Sequence, residues 1–149
     1  MSGAAVRRLL AGDEREVLRF AEAFDDRVDV KITASFLRDP RHHLVVVYVD
    51  AEPAGFVSAV EILHPDKTKP ELFLNEISVI ERFRRRGAGH ALLEELKVLG
   101  RELGCSAIWV LTDEGNPTAM RMYAKAGGTW DGARHVMFEY DLGGPDARP

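Results

Sequence analysis

The sequence predicts a mixed α/β domain, one central sheet with helices on both faces, and three observations lead there. Residues 43–49, HLVVVYV, and residues 107–111, AIWVL, are rich in β-branched and aromatic side chains and read as buried strands. The first of these runs through the turn Asp50-Ala51-Glu52-Pro53 into a second apolar stretch, residues 54–63, which makes the two an antiparallel hairpin. The later strands are separated by helical stretches, and strands joined that way need crossover connections. A sheet with hairpins in the middle and crossovers at the end is mixed and carries helices on its faces.

Taken in order, residues 4–10 form a short first strand. Asp13 caps a helix over residues 14–24, whose Val17, Leu18, Ala21 and Phe24 share a face. A second helix over 30–37 closes before Asp39-Pro40, where proline disfavours continuation. The hairpin follows, then a polar loop at 64–70, HPDKTKP. Residues 72–80 read as an extended apolar run. A turn carrying Arg82, Arg84, Arg85 and Arg86 leads through Gly87 and Gly89 into a helix marked by Ala88, Leu92, Leu96, Leu99 and Leu103, and Gly104 ends it. After the strand at 107–111, Pro117 stands in the first turn of a helix over 117–126 that Gly127-Gly128 stops. Residues 129–142 read as one or two further strands, so that 1–142 make a single domain, and 143–149 read as a disordered tail.

Composition narrows the function. The chain has 149 residues, enough for one domain with an ordinary core, and a net charge of −4. A general nucleic-acid binder needs a basic face, so no nucleic-acid partner is expected. A single cysteine, Cys105, excludes an internal disulfide and suits a reducing compartment. No apolar run reaches the ~20 residues of a membrane span, and the first residues lack the apolar core of a signal peptide. The expectation is a cytoplasmic protein without a membrane partner. His42, His43, His64, His90 and His135 have no metal-site spacing, so no metal is expected.

The strand–turn–helix around Arg84-x-x-Gly87-x-Gly89 is the candidate site. A helix start after a glycine turn offers unpaired N–H groups and the positive end of the helix dipole, which suits a phosphate. A dinucleotide fingerprint would want glycine at position 92, which is Leu92, and no Gly-Lys-Ser/Thr follows as in a nucleotide-hydrolase loop. A plain tight turn with solvated arginines is the remaining bland alternative. Glu76, in the otherwise apolar run Phe73-Leu74-Asn75-Glu76-Ile77, is a charge that is expensive to bury without a reason.

The pattern of Arg84, Gly87 and Gly89 after a strand resembles the GNAT superfamily of acetyl-coenzyme A-dependent N-acetyltransferases. A second stretch, from Asn116-Pro117-Thr118-Ala119 to Tyr123-Ala124-Lys125-Ala126-Gly127, is similar to that family's Asn-x-x-Ala run ending in Tyr-x-Lys-x-Gly. The resemblance covers nearly the whole chain. It implies a mostly antiparallel sheet with a splay between two parallel strands, acetyl-coenzyme A as cofactor, and a homodimer. It places the pantetheine arm along Ile77, Ser78 and Val79. The pyrophosphate falls on the backbone of Arg84, Arg85, Arg86, Gly87, Ala88, Gly89 and His90, with Arg82 and Arg85 as candidates for the 3′-phosphate. Asn116 and Ala119 border the cofactor, or Asn116 simply caps its helix. Acetyl transfer to an amine needs a base for the ammonium and an acid for the departing thiolate. Glu76 is the candidate base. The resemblance makes Tyr123 the candidate acid, in place of a core tyrosine.

Within the superfamily, the stretches 71–79, 113–115 and 135–142 resemble the aminoglycoside 3-N-acetyltransferases, with departures at Asn75 and Phe138. An aminoglycoside acceptor, and with it antibiotic resistance, is what that likeness implies. The carboxylates Glu76, Asp113, Glu139 and Asp141, with Glu61, Glu71 and Glu114, suit a polycationic amine. A polyamine, an amino-acid-like amine or a protein amine stay open as acceptors, as does a non-catalytic acyl-coenzyme A sensor.

Overall fold

The computed structural model describes residues 3–144, and the expected tail at 143–149 lies mostly outside those residues. The elements are β1 (Ala5–Arg8), α1 (Glu14–Arg19), a 3₁₀ turn (Ala21–Ala23), α2 (Val30–Arg38), β2 (His42–Val49), β3 (Glu52–Ile62), β4 (Glu71–Val79), a second 3₁₀ turn (Glu81–Phe83), α3 (Ala88–Glu102), β5 (Ile108–Val110) and α4 (Pro117–Lys125). The sheet runs β1-β2-β3-β4-β5, antiparallel except for the parallel β4–β5 pair. Among the described residues no helix is long and apolar enough to cross a membrane.

The hairpin turn is tighter than the sequence suggests. Val49 pairs directly with Glu52, and Asp50 and Ala51 both take positive φ, 51° and 64°. That two-residue geometry matches the right-handed twist of the flanking strands. Pro53 sits inside β3 opposite Tyr48, beside an irregularity in the ladder where a missing N–H is tolerated.

The helix expected over residues 14–24 divides in two. Phe20 leaves the helical region at φ −121°, and the chain tightens into the 3₁₀ turn. The break lets Phe20 and Phe24 both reach Phe56 of β3, at ring-centroid separations of 6.0 and 4.0 Å. Stacked rings of this kind add to the ordinary gain from apolar burial. This aromatic group fills the sheet face covered by α1 and α2. Leu92, Leu93, Leu96 and Leu99 of α3 fill the other face. Arg8 ties the β1 edge to α3 through Glu95 at 2.7 Å and Glu102 at 2.5 Å.

At its far end α3 closes as a Schellman motif. Gly104 takes φ 75°, with Cys105 N–H donating to Gly100 and Gly104 N–H to Arg101. The one or two strands expected over 129–142 are not formed in this structure, where α4 is the last regular element among the described residues.

Candidate active site

One irregularity in β4 aims the key side chain. Ser58 pairs with Glu76 but Ala59 pairs with Leu74, so Asn75 is an extra residue, a β-bulge. Without it Leu74 and Glu76, two apart, would share a face. Leu74 faces α3, beside Leu93 and Leu96. Glu76 instead follows Ser58 to the opposite face, the one that carries Phe56, α1 and α2. Its carboxyl is held above the ordinary carboxylate range, first by burial and then by the charges of Asp25 and Asp26 in the loop before α2. Asp25 and Asp26 were not singled out from sequence. Their signal was a charged pair between two short helices, which reads as any solvated loop until the bulge turns Glu76 toward it.

Beyond Leu74 the parallel pairing stops, since β5 matches only Leu72, Phe73 and Leu74. Ile77, Ser78 and Val79 therefore keep β3 on one side and lose β5 on the other. A splayed edge of this kind presents backbone donors and acceptors to an extended ligand. On the Glu76 side, a cleft of about 560 Å³ opens between Glu22 and Ala23 and the stretch from Ser78 to Arg84.

The glycine turn follows directly on Arg84, the last residue lining that cleft. Gly87 caps α3 in the left-handed region at φ 79°, and Arg85 takes φ 66°. The start of α3 has no side-chain cap and no acidic residue in its first turn. Asp29 caps α2 and Asn116 caps α4 through their side chains, at 2.8 and 3.1 Å. The α3 terminus, lined by Ala88, Gly89 and His90, is thus left with open N–H groups at the positive end of its dipole, which fits a phosphate. The arginines divide their work. Arg84 donates from Nε to the Val79 carbonyl at 2.9 Å and locks the turn to the end of β4. Arg82 pairs with Glu22 at 2.8 Å and Arg86 with Asp50 at 2.7 Å. Gly89 has a packing reason of its own, because a Cβ there would stand 2.7 Å from Met122 Sδ on α4.

Tyr123 approaches from the other face. It lines an apolar groove of about 330 Å³ with Leu74, Leu93, Leu96, Ile108 and Val110, between α3, α4 and β5. Burial pushes its hydroxyl above the ordinary tyrosine range, so it stays protonated at neutral pH. Glu76 and Tyr123 thus stand on opposite sides of the sheet, with the splay between them. Asn116 serves as the cap of α4, and Ala119 donates the capped N–H. Asp113 accepts from Gly115 N–H at 2.8 Å within its own turn. Glu139 and Asp141 lie on the exposed segment after α4, and the carboxylates that act on Glu76 are Asp25 and Asp26. Burial, with Glu61 nearby, raises the Cys105 thiol, which suits a packed side chain rather than a nucleophile.

Comparison with known proteins bears on this geometry. Residues 5–128 match the model of the acetyltransferase (GNAT) family. The chain belongs to that family. No curated protein sequence matches it. Among solved structures it is similar to an aminoglycoside acetyltransferase from an uncultured soil metagenomic sample, in complex with sisomicin. That likeness has 17% identity, a TM-score of 0.85, and coverage of 93% of this chain and 96% of the other. It is also similar to aminoglycoside acetyltransferase AAC(6')-Iy with a coenzyme A bisubstrate analogue, at 18% identity, TM-score 0.76, and 93% and 99% coverage. A third likeness is a ribosomal-protein-alanine N-acetyltransferase from Brucella melitensis biovar Abortus 2308, at 19% identity, TM-score 0.70, and 93% and 100% coverage. At these identities the likeness establishes the fold.

The acetyltransferase uses acetyl-coenzyme A, and the residues present fit it. The uncapped α3 terminus suits the pyrophosphate, and the open edge of β4 suits the amide-bearing pantetheine arm. The cofactor supplies an activated acetyl thioester.

Proposed function

We propose that this acetyltransferase acetylates a primary amine of a polycationic acceptor, an aminoglycoside, at its 3 position. The observation that carries the proposal is the bulge at Asn75, which turns Glu76 to the sheet face where the charges of Asp25 and Asp26 act on it. Three carboxylates close enough to act on one another by charge attract an acceptor bearing several ammonium groups. The 3-N assignment rests on the sequence likeness of residues 71–79 and 135–142, and the aminoglycoside acceptors of two similar structures support the class. Such an activity would confer resistance, in the cytoplasm where the reduced Cys105 is at home.

In this reading the acceptor enters from the α1–α2 face. Glu76 takes a proton from the ammonium, directly or through one water. The freed nitrogen forms a C–N bond to the thioester carbonyl carbon, and the C–S bond breaks. Tyr123, from the opposite face, gives its phenolic proton to the departing sulfur. The second proton of the newly acylated nitrogen passes through water back to the phenolate, leaving a neutral amide, free thiol and a protonated Tyr123. The backbone of Ile77, Ser78 and Val79 orients the donor, and the turn from Arg84 to His90 holds the phosphates.

The test is turnover with acetyl-coenzyme A and a panel of amines, following free thiol and mapping the product by NMR. Acetylation of sisomicin at its 3-amine is the expected result. Acetylation elsewhere on the drug overturns the position alone. Acetylation only of peptide N-termini overturns the acceptor class.

A further inference from the structure

The start of α3 has a neighbour that the proposed chemistry does not use. Gly89, in the first turn of that helix, carries no side chain, and the room it leaves is taken by Met122 from α4. A Cβ at position 89 would stand 2.7 Å from Met122 Sδ and 3.8 Å from its Cγ. The sulfur is therefore the part of the side chain that faces the turn. Lys97 Nζ on α3 donates to the Ala126 carbonyl at the end of α4, at 2.9 Å. Met122, Tyr123 and Ala126 pack against the core on the same side. Those contacts hold α4 beside α3 and keep the sulfur in place.

The turn it faces is rich in donors and short of acceptors. Ala91 is the first residue of α3 whose N–H reaches a helical carbonyl, that of Gly87 at 2.9 Å. The N–H groups of Ala88, Gly89 and His90 come before it, and no side chain caps them. A thioether is a weak acceptor, so Met122 packs beside these donors without satisfying them. They stay open to the cofactor's phosphates. Oxidation would reverse this, because a sulfoxide is polar and its oxygen carries partial negative charge. On a sulfur that faces Gly89, that oxygen meets unpaired N–H groups at the positive end of the α3 dipole.

We propose that Met122 is an oxidative modification site, where a peroxide converts the thioether to a sulfoxide that caps the start of α3 and displaces the coenzyme A phosphates. This rests on the placement of those phosphates on the α3 turn proposed above. A sulfur lone pair attacks one peroxide oxygen, the S–O bond forms and the O–O bond breaks. With hydrogen peroxide, the departing hydroxide takes the remaining proton and leaves as water. Sulfur is oxidised by two electrons and the peroxide is reduced by two. Met122 is only half-buried, which admits so small an oxidant. Methionine sulfoxide reductases reverse the change, so the site works as a switch and not only as a lesion.

The experiment measures coenzyme A affinity by calorimetry on the full chain, before and after hydrogen peroxide. Trypsin cuts after Arg121 and Lys125, so mass spectrometry reads Met122 separately from Met120 and Met137. Oxidation at Met122 is expected to weaken coenzyme A binding roughly 10-fold or more, the loss of one charge-assisted hydrogen bond. Methionine sulfoxide reductase should restore it. Met122→Leu should bind coenzyme A as the untreated wild type does and keep that affinity through peroxide, although Met137, 84% exposed, oxidises in both. Met122→Gln, with an amide oxygen near the place of the sulfoxide oxygen, should show weakened affinity with no oxidant. An oxidised Met122 with unchanged affinity overturns the proposal. So does an equal loss in Met122→Leu, or a Met122 that stays reduced while Met137 is fully oxidised. Oxidised wild type that no longer melts cooperatively would mean unfolding in place of capping, and overturns it too. Gly87→Val, kept reduced, separates this inference from the reading beneath it. Unchanged affinity there overturns the phosphate placement and this inference with it. Weakened affinity there, with no effect of the sulfoxide, overturns this inference alone.

Discussion

Glu76 is where sequence and structure meet most closely. A carboxylate inside an apolar run advertises itself, but its direction depends on Asn75, because a period-two reading of 72–80 puts Glu76 on the α3 face with Leu74. The bulge reverses that, and with it the identity of the neighbouring charges. Asp25 and Asp26 raise the Glu76 pKa along with burial, so the acidic limb of kcat/KM should lie above the ordinary carboxylate range. Asp25→Asn together with Asp26→Asn should move that limb to lower pH, measured in a pH–rate profile. Glu76→Gln should lower kcat by roughly 10²–10⁴-fold, the usual span for a general base. The same variant should be more stable at neutral pH. A carboxyl whose folded pKa is raised contributes its full stability below the unfolded pKa and loses it as pH rises through the folded value. Thermal melting should show Glu76→Gln above the wild type at pH 7, with the gap closing on acidification. Tyr123→Phe should reduce kcat with little change in acceptor KM, since the hydroxyl matters when the thiolate leaves.

At the scale of elements, strands and helices with strong periodicity were legible, and what failed was decided by contacts distant in sequence. The helix over 14–24 broke at Phe20 because Phe56, far along the chain, draws two rings together. The one or two strands expected over 129–142 rested on a stretch that alternates poorly, and none forms there among the described residues. Gly55 carried no signal at all. A Cβ there would lie 2.3 Å from the Ser78 carbonyl oxygen, so β3 and β4 approach closely only because position 55 is bare. Backbone cannot yield as a flexible side chain does. Gly55→Ala should therefore destabilise by about 1–3 kcal/mol, read from urea unfolding. Gly87 was legible as a site glycine, and the structure adds a backbone reason for it. A Cβ at 87 meets nothing within 4 Å, while φ 79° strains any larger residue. Gly87→Val should shift the turn at a cost of about 1–3 kcal/mol and weaken coenzyme A binding at least ~10-fold, measured by calorimetry.

For the molecule as a whole, the function proposed above puts its two chemistries on two faces of one sheet. In that proposal the donor side is α3, α4 and the splayed edge of β4, and the acceptor side the loop before α2 and the bulge in β4. The donor side was legible because its residues are contiguous in two short motifs. The acceptor side was not, because Asp25, Asp26 and Glu76 meet only after folding. If these carboxylates hold the acceptor, its KM should rise with ionic strength, as exposed charges are screened over ~10 Å at 0.1 M salt. The most direct measurement is steady-state turnover of the wild type and of Asp25→Asn/Asp26→Asn with sisomicin and with a simple monoamine. The account predicts free thiol release with both amines, a far lower KM for sisomicin, and a variant that loses that advantage while keeping its monoamine rate. Equal KM values for the two amines, unchanged in the variant, would contradict it.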